Sequence, residues 1–197
     1  MSTPTLQRRS TDVNLDSHKD PARPTGSRIS GLALNGLRLA IGFQFLWAFL
    51  DKTFGLGYAT PSARAWINGG APTEGFLSGV SAGPLEGTFN AMAGNAVYDW
   101  LFMAGLLGIG VALVLGVAIR IATTSGVLLL TMMYLAAWPM AKIGNGEPTG
   151  SNNPIVEDHL ISILALIVIA TFIASSSGYL GRIWADLPLV RKQPWLR

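Results

Sequence analysis

The chain contains no cysteine. That excludes disulfides, zinc thiolate sites, cysteine-ligated iron–sulfur clusters and cysteine nucleophiles within it. Histidine is nearly as scarce, with only His18 and His159. His18 falls in a polar N-terminal stretch, which leaves His159 as the one candidate for a helix-borne imidazole. Bis-histidine haem needs two of these, and zinc or di-iron carboxylate sites need more ligands at matched helical spacing. No haem, zinc or iron–sulfur cluster is therefore expected. No glycine-rich phosphate loop sits between a strand and a helix, so nucleotide binding has no support. The basic tail lacks the aromatic interleaving of nucleic-acid binders, so no nucleic-acid partner is expected.

Charge is the third shortage. Only 13% of residues are charged and 50% are hydrophobic, whereas soluble domains carry about a quarter charged residues. A lipid-facing surface accounts for the missing charge. The apolar residues gather into four runs, with spans expected at about 31–50, 99–119, 121–140 and 158–176. Each is close to the ~20 residues that carry a helix across the hydrocarbon core, and helices satisfy their own backbone there. The expected fold is all-α: a polytopic membrane protein with a four-transmembrane-helix bundle and the bilayer as its first partner.

Residues 1–30 are polar, contain Pro4, Pro21 and Pro24, and carry no signal-peptide core. They are expected to form a disordered cytoplasmic tail. Residues 31–180 form the transmembrane domain, and 181–197 a basic cytoplasmic C-terminal segment. Lys and Arg set the orientation. With the N-terminus inside, the inner segments hold Arg8, Arg9, Lys19, Arg23, Arg28, Arg120, Arg182, Arg191, Lys192 and Arg197; the outer ones hold Lys52, Arg64 and Lys142. Both termini are thus expected in the cytoplasm, in the plasma membrane. The loop of residues 51–99 then lies outside. It is long, and its Trp66, Ile67, Phe76, Leu77 and Phe89 predict an ordered cap rather than a solvated linker.

Small residues recur every fourth position at Ala104, Gly108, Ala112 and Gly116, and more weakly at Gly36, Ala40 and Ala48 with Gln44 between. Such stripes let helices approach closely in lipid. Gln44 is expected to donate a hydrogen bond between helices. Arg38, within the first span, either snorkels to the interface or meets a lipid phosphate.

The polar residues cluster at the outer helix ends. Asp51 and Lys52 close the first span, Asp99 opens the second, and Glu157, Asp158 and His159 open the fourth. Asp99 and Asp158 suit N-caps, Lys52 suits snorkelling, and Trp47, Trp66, Trp100 and Trp138 suit an aromatic belt. The same residues could instead converge into one site. In that reading His159, Asp158, Asp51 and Asp99 are the catalytic candidates, and Lys52, Trp47 and Trp66 the substrate-binding ones. A histidine beside a carboxylate can shuttle protons.

These segments resemble one family. Leu37-Arg38-Leu39-Ala40-Ile41-Gly42 with Phe45-Leu46-Trp47-Ala48-Phe49-Leu50-Asp51-Lys52 is similar to the opening helix of DoxX/DoxD-type membrane proteins. Thr60-Pro61-Ser62, Ala65-Trp66-Ile67-Asn68-Gly69-Gly70, Pro72-Thr73 and Gly75-Phe76-Leu77 resemble the outer loop of actinobacterial members. Asn153-Pro154 with Asp158-His159-Leu160, and Gly181-Arg182 to Leu187-Pro188-Leu189-Val190, resemble their last helix and ending. The resemblance covers residues 31–197. It implies a four-helix membrane subunit of a thiosulfate:quinone oxidoreductase, with quinone as electron acceptor and a small partner subunit. Other relatives imply an alternative: a non-enzymatic scaffold that recruits a redox-defence or respiratory complex, or a homo-oligomer. The chain departs from a self-sufficient sulfur enzyme in having no thiol for a persulfide. A transporter is disfavoured by the lack of a broken-helix pair.

Overall fold

In the computed structural model, residues 25–172 and 179–193 are described. The expected tail, up to residue 24, and the end of the fourth expected span, 173–176, lie outside the described residues. Helix α1 is Thr25–Phe54, so it starts within the stretch assigned to the tail. The chain then runs through two 3-10 turns, Ser62–Arg64 and Trp66–Asn68, and the short helices α2 (Glu74–Ser78) and α3 (Glu86–Met92). Helices α4 (Ala96–Leu115) and α5 (Ile119–Ala137) follow. Strands β1 (Ile143–Gly144) and β2 (Glu147–Pro148) make a small antiparallel hairpin. Helix α6 is Asp158–Phe172, and α7 (Tyr179–Asp186) and α8 (Pro188–Lys192) end the described chain.

Three helices are long and apolar enough to cross a membrane: α1 from Ile29, α4 and α5. Helix α6 is apolar but shorter, with 15 described residues, or about 22 Å at 1.5 Å per residue. Each helix buries one stripe at three- and four-residue spacing. In α1 it is Arg38, Ile41, Phe45; in α4, Met103, Leu106, Ile109, Leu113; in α6, Ser162, Leu166, Ile169. The opposite faces expose Phe43, Leu101, Val111, Leu128, Leu164 and Ile167. So much exposed apolar surface suits a bilayer and not water, which supports a membrane protein.

Helix α1 packs on α4 and α6, and α5 packs on α4 and α6, closing a ring of four. The close approaches occur at buried glycines. A Cβ on Gly42 would lie 3.0 Å from Leu113 Cβ, and one on Gly110 would lie 2.7 Å from Leu46 Cγ and 2.9 Å from its backbone nitrogen. A Cβ on Gly126 of α5 would meet Leu166 of α6 at 2.8 Å, with Ile109 and Phe45 just beyond. These pairings run in opposite directions along neighbouring helices, so α4 is antiparallel to α1 and α5. The expected stripe packs differently. Ala104 is exposed and Gly108 has nothing within 4 Å of its would-be Cβ. The other half of the stripe does pack: Ala112 lies against the bundle core and a Cβ on Gly116 would lie 3.0 Å from Arg38 Nη1.

The α4–α5 turn also differs from the expected break at Arg120. Gly116, at φ 73°, ends α4 by donating to the carbonyl of Ala112 at 2.9 Å, a glycine stop that needs no Cβ penalty. Arg120 therefore lies within the first turn of α5. Pro139 follows α5, beyond a left-handed Trp138.

Arg38 departs from both expected readings. It is 8% exposed, and its Nη1 donates to the carbonyl oxygens of Leu113 and Val114 in the last turn of α4. A guanidinium at that negative helix end satisfies carbonyls that have no intrahelical donor. Arg38→Ala is expected to cost about 2 kcal/mol, the scale of a hydrogen bond to a charged group. SDS-titration unfolding of the purified protein in detergent would measure it.

The residues between α1 and α4 form a cap with its own small core of Leu77, Val80 and Phe89 against Ala136 at the end of α5. This matches the expected ordered loop. The hairpin completes the cap. Its Asn145-Gly146 turn has positive φ at both residues, the signature of a two-residue type I′ connection. Asn145 Nδ2 donates to Glu86 Oε1 at 3.2 Å, joining the hairpin to α3. The C-terminal segment, expected only as basic, contains α7 and α8, with Pro188 starting α8 where a missing N–H costs nothing.

Candidate functional site

The polar residues picked out by sequence lie at the capped end of the bundle, but in separate places. Asp51, in the last turns of α1, is 2% exposed. Its Oδ1 accepts the Tyr58 N–H at 3.2 Å and its Oδ2 the Ala59 N–H at 3.1 Å. Both carboxylate oxygens thus hold the chain as it leaves α1. Lys52 is half-buried beside it, in the last turn, where a cation suits the helix end. Trp47 stacks edge-on with Tyr58 at 5.1 Å and lies 5.8 Å from Phe43.

Asp99 is not an N-cap. Asn95 fills that position, its side chain accepting from the Val97 N–H at 2.9 Å. Helix α4 therefore starts at Ala96, and Asp99 falls within its first turn, 5% exposed. Its Oδ1 accepts from the Thr73 N–H at 2.8 Å and the Thr73 hydroxyl at 2.6 Å. Trp66 packs against the bundle core and meets the Trp100 ring edge-on at 4.5 Å. Asp51, Asp99 and this tryptophan pair together fasten the cap to α1 and α4.

His159 stands apart, half-buried in the first turn of α6. Its Nδ1 lies 2.7 Å from Glu157 Oε2, and Glu157 Oε1 accepts the His159 backbone N–H at 3.1 Å. Glu157 is thus both the N-cap of α6 and the partner of the imidazole. Asp158, expected as the cap, is exposed in the first helical turn. A capping oxygen must precede the helix to reach its second or third N–H, and Glu157 has that place. The entry is held by Asn153 Oδ1, which accepts from Ile155 and Val156 N–H groups at 3.0 and 2.9 Å, and by the Tyr134 hydroxyl donating to the Ile155 carbonyl at 2.9 Å. Among the described residues, no hydrogen bond or ion pair joins His159 to Asp51 or Asp99.

An open cleft of about 500 Å³ is lined by Asn152, Asn153, Val156, Glu157, Asp158 and Ile161, so Glu157 reaches it and His159 is not among its lining residues. Its lining offers amides, carboxylates and aliphatic carbon, with no cation. A dianion is repelled there, whereas a neutral polar ring with an apolar tail meets both kinds of surface. Glu157 is one of four acids at these helix ends and is not among the catalytic candidates that the sequence suggests. Its position immediately before the helix was the available signal. Gln44 makes an interhelical bond, but it accepts where donation was expected: Ser162 Oγ of α6 donates to its Oε1 at 3.3 Å.

Among the described residues, no group of three or more His, Asp or Glu side chains is placed to hold a metal ion. No protein family, no curated protein and no solved structure matches this chain.

Proposed function

We propose that this chain is a DoxX/DoxD-like membrane subunit of a quinone-linked redox complex, crossing the plasma membrane four times with both termini in the cytoplasm. Its own chemistry is proton handling on the quinone side. The observation that carries this reading is the 2.7 Å His159–Glu157 pair, of which Glu157 lines the cleft. Reducing a quinone takes up two protons with two electrons. An imidazole paired with a carboxylate can pass protons to a bound ring oxygen. The sulfur donor, such as thiosulfate, is an anion and is disfavoured at Glu157 and Asp158, so its oxidation is placed on a partner subunit. Neither Lys52, half-buried beside Asp51, nor any thiol of this chain serves it.

His159→Gln and Glu157→Gln are each expected to lower thiosulfate-dependent quinone reduction by about tenfold or more, at the low end for a positioned proton-transfer group. The measurement uses membranes containing the chain with its partner, with protein amount matched. Unchanged rates in both variants would remove the proton role.

A second reading, a non-enzymatic scaffold, is favoured by one observation. Asp51 and Asp99 are both engaged in building a folded cap. A stoichiometric partner recovered in mild detergent, with no quinone turnover in its presence, would select that reading.

A further inference from the structure

The C-terminal helices α7 and α8 present an unusual surface. Ile183 and Leu187 are exposed, and Leu189 is 69% exposed. Among the described residues of these helices, Val190 is the one that is fully buried. Arg191 and Lys192 follow at the end of α8, both exposed. Among the described residues neither is paired with a carboxylate. The one acid of this stretch is Asp186. Exposed aliphatic residues beside unpaired cations are poorly suited to water and well suited to a headgroup layer, where acyl chains take the former and phosphates the latter.

Position along the chain points to the same surface. Six residues, 173–178, separate α6 from α7, and an extended chain of that length reaches about 20–25 Å. Helix α6 packs between α1 and α5 in the ring, so α7 is tethered close to the end of the bundle opposite the cap. A segment so tethered meets the membrane plane where α6 leaves it.

We propose that residues 183–193 form an anionic-phospholipid-binding segment that lies in the headgroup layer, with Leu187 and Leu189 in the acyl boundary and Arg191 and Lys192 on lipid phosphates. The inference rests on the membrane-spanning helices and is independent of the redox reading. A soluble protein covering the same face is the competing occupant. It is disfavoured because two cations flanking aliphatic residues complement a phosphate layer at a membrane already in reach.

The natural lack of cysteine makes the test direct. Leu189→Cys in the full-length chain carries a solvatochromic fluorophore, and the protein is reconstituted in nanodiscs of phosphatidylcholine alone or mixed with phosphatidylglycerol. The ratio of membrane-inserted to water-exposed label is expected to rise about tenfold or more in the anionic discs, given two cations near the surface. Adding Arg191→Gln and Lys192→Gln removes the difference between the two lipids. Equal emission in both lipids would overturn the proposal. So would water-like emission in both, the result expected of a face kept for a soluble partner. Leu189 is exposed, so its replacement leaves the fold intact; a matching elution profile and helical circular dichroism verify this.

Discussion

Gly110→Val is expected to cost the bundle about 3 kcal/mol, at the upper end for overpacking. The new Cβ would lie 2.7 Å from Leu46 Cγ and 2.9 Å from the Leu46 backbone nitrogen. A side-chain tip could rotate away, but a backbone nitrogen cannot. Helices α1 and α4 would have to separate, and in lipid their association depends on close packing. The loss spreads, because Gly42 sits on the same contact against Leu113 and Val114. Gly108→Val, two residues earlier on the open face, is the control and should stay within about 0.5 kcal/mol of the parent. SDS-titration unfolding of both variants separates them. Equal destabilisation by the two would refute the close approach of α1 and α4 at Gly110.

Asp99→Ala is expected to cost about 3 kcal/mol, because a buried amide and a hydroxyl lose a charged acceptor together. The loss falls on the cap. Thr73 precedes α2, so losing its two bonds, at 2.8 and 2.6 Å, frees the chain between Trp66 and α3. Limited proteolysis should then cut within residues 55–95 of the variant at protease levels that leave the parent whole. Asp99→Asn keeps one carbonyl acceptor and should lose roughly 1 kcal/mol. If Asp99 served the chemistry instead, Asp99→Asn would stop quinone reduction while the cap stayed resistant to protease.

The helices were legible because lipid imposes a simple rule: long apolar runs with few charges. The runs around Phe45, Ile109 and Leu130 all became helices of the ring. Their ends were less legible, because stops depend on single residues. Gly116 ends α4 four residues before the charge at Arg120 that marked the break in the sequence. The packing of α4 was only partly legible, with Ala112 and Gly116 packed but Ala104 and Gly108 open, because small residues mark close approach only where a neighbour is present. Gly110 faces Leu46, while Gly108 of the more regular stripe faces nothing in the chain. At the candidate site, sequence identified the chemical groups but not their partners. Asp51 and Asp99 lie at helix ends, and the backbone amides they bind come from a loop whose path the sequence does not show. His159 was recognisable by its isolation. Its partner Glu157 became evident only when the start of α6 at Asp158 placed that acid at the cap.

The proposed quinone site is the cleft lined by Glu157, the partner of His159. Photo-crosslinking with a short-chain azidoquinone, followed by peptide mapping of the full-length protein in membranes, tests it most directly. The expected result is labelling within residues 152–161, competed by unmodified quinone and reduced in His159→Gln. Competed labelling confined to other parts of the bundle, with 152–161 unlabelled, would contradict it.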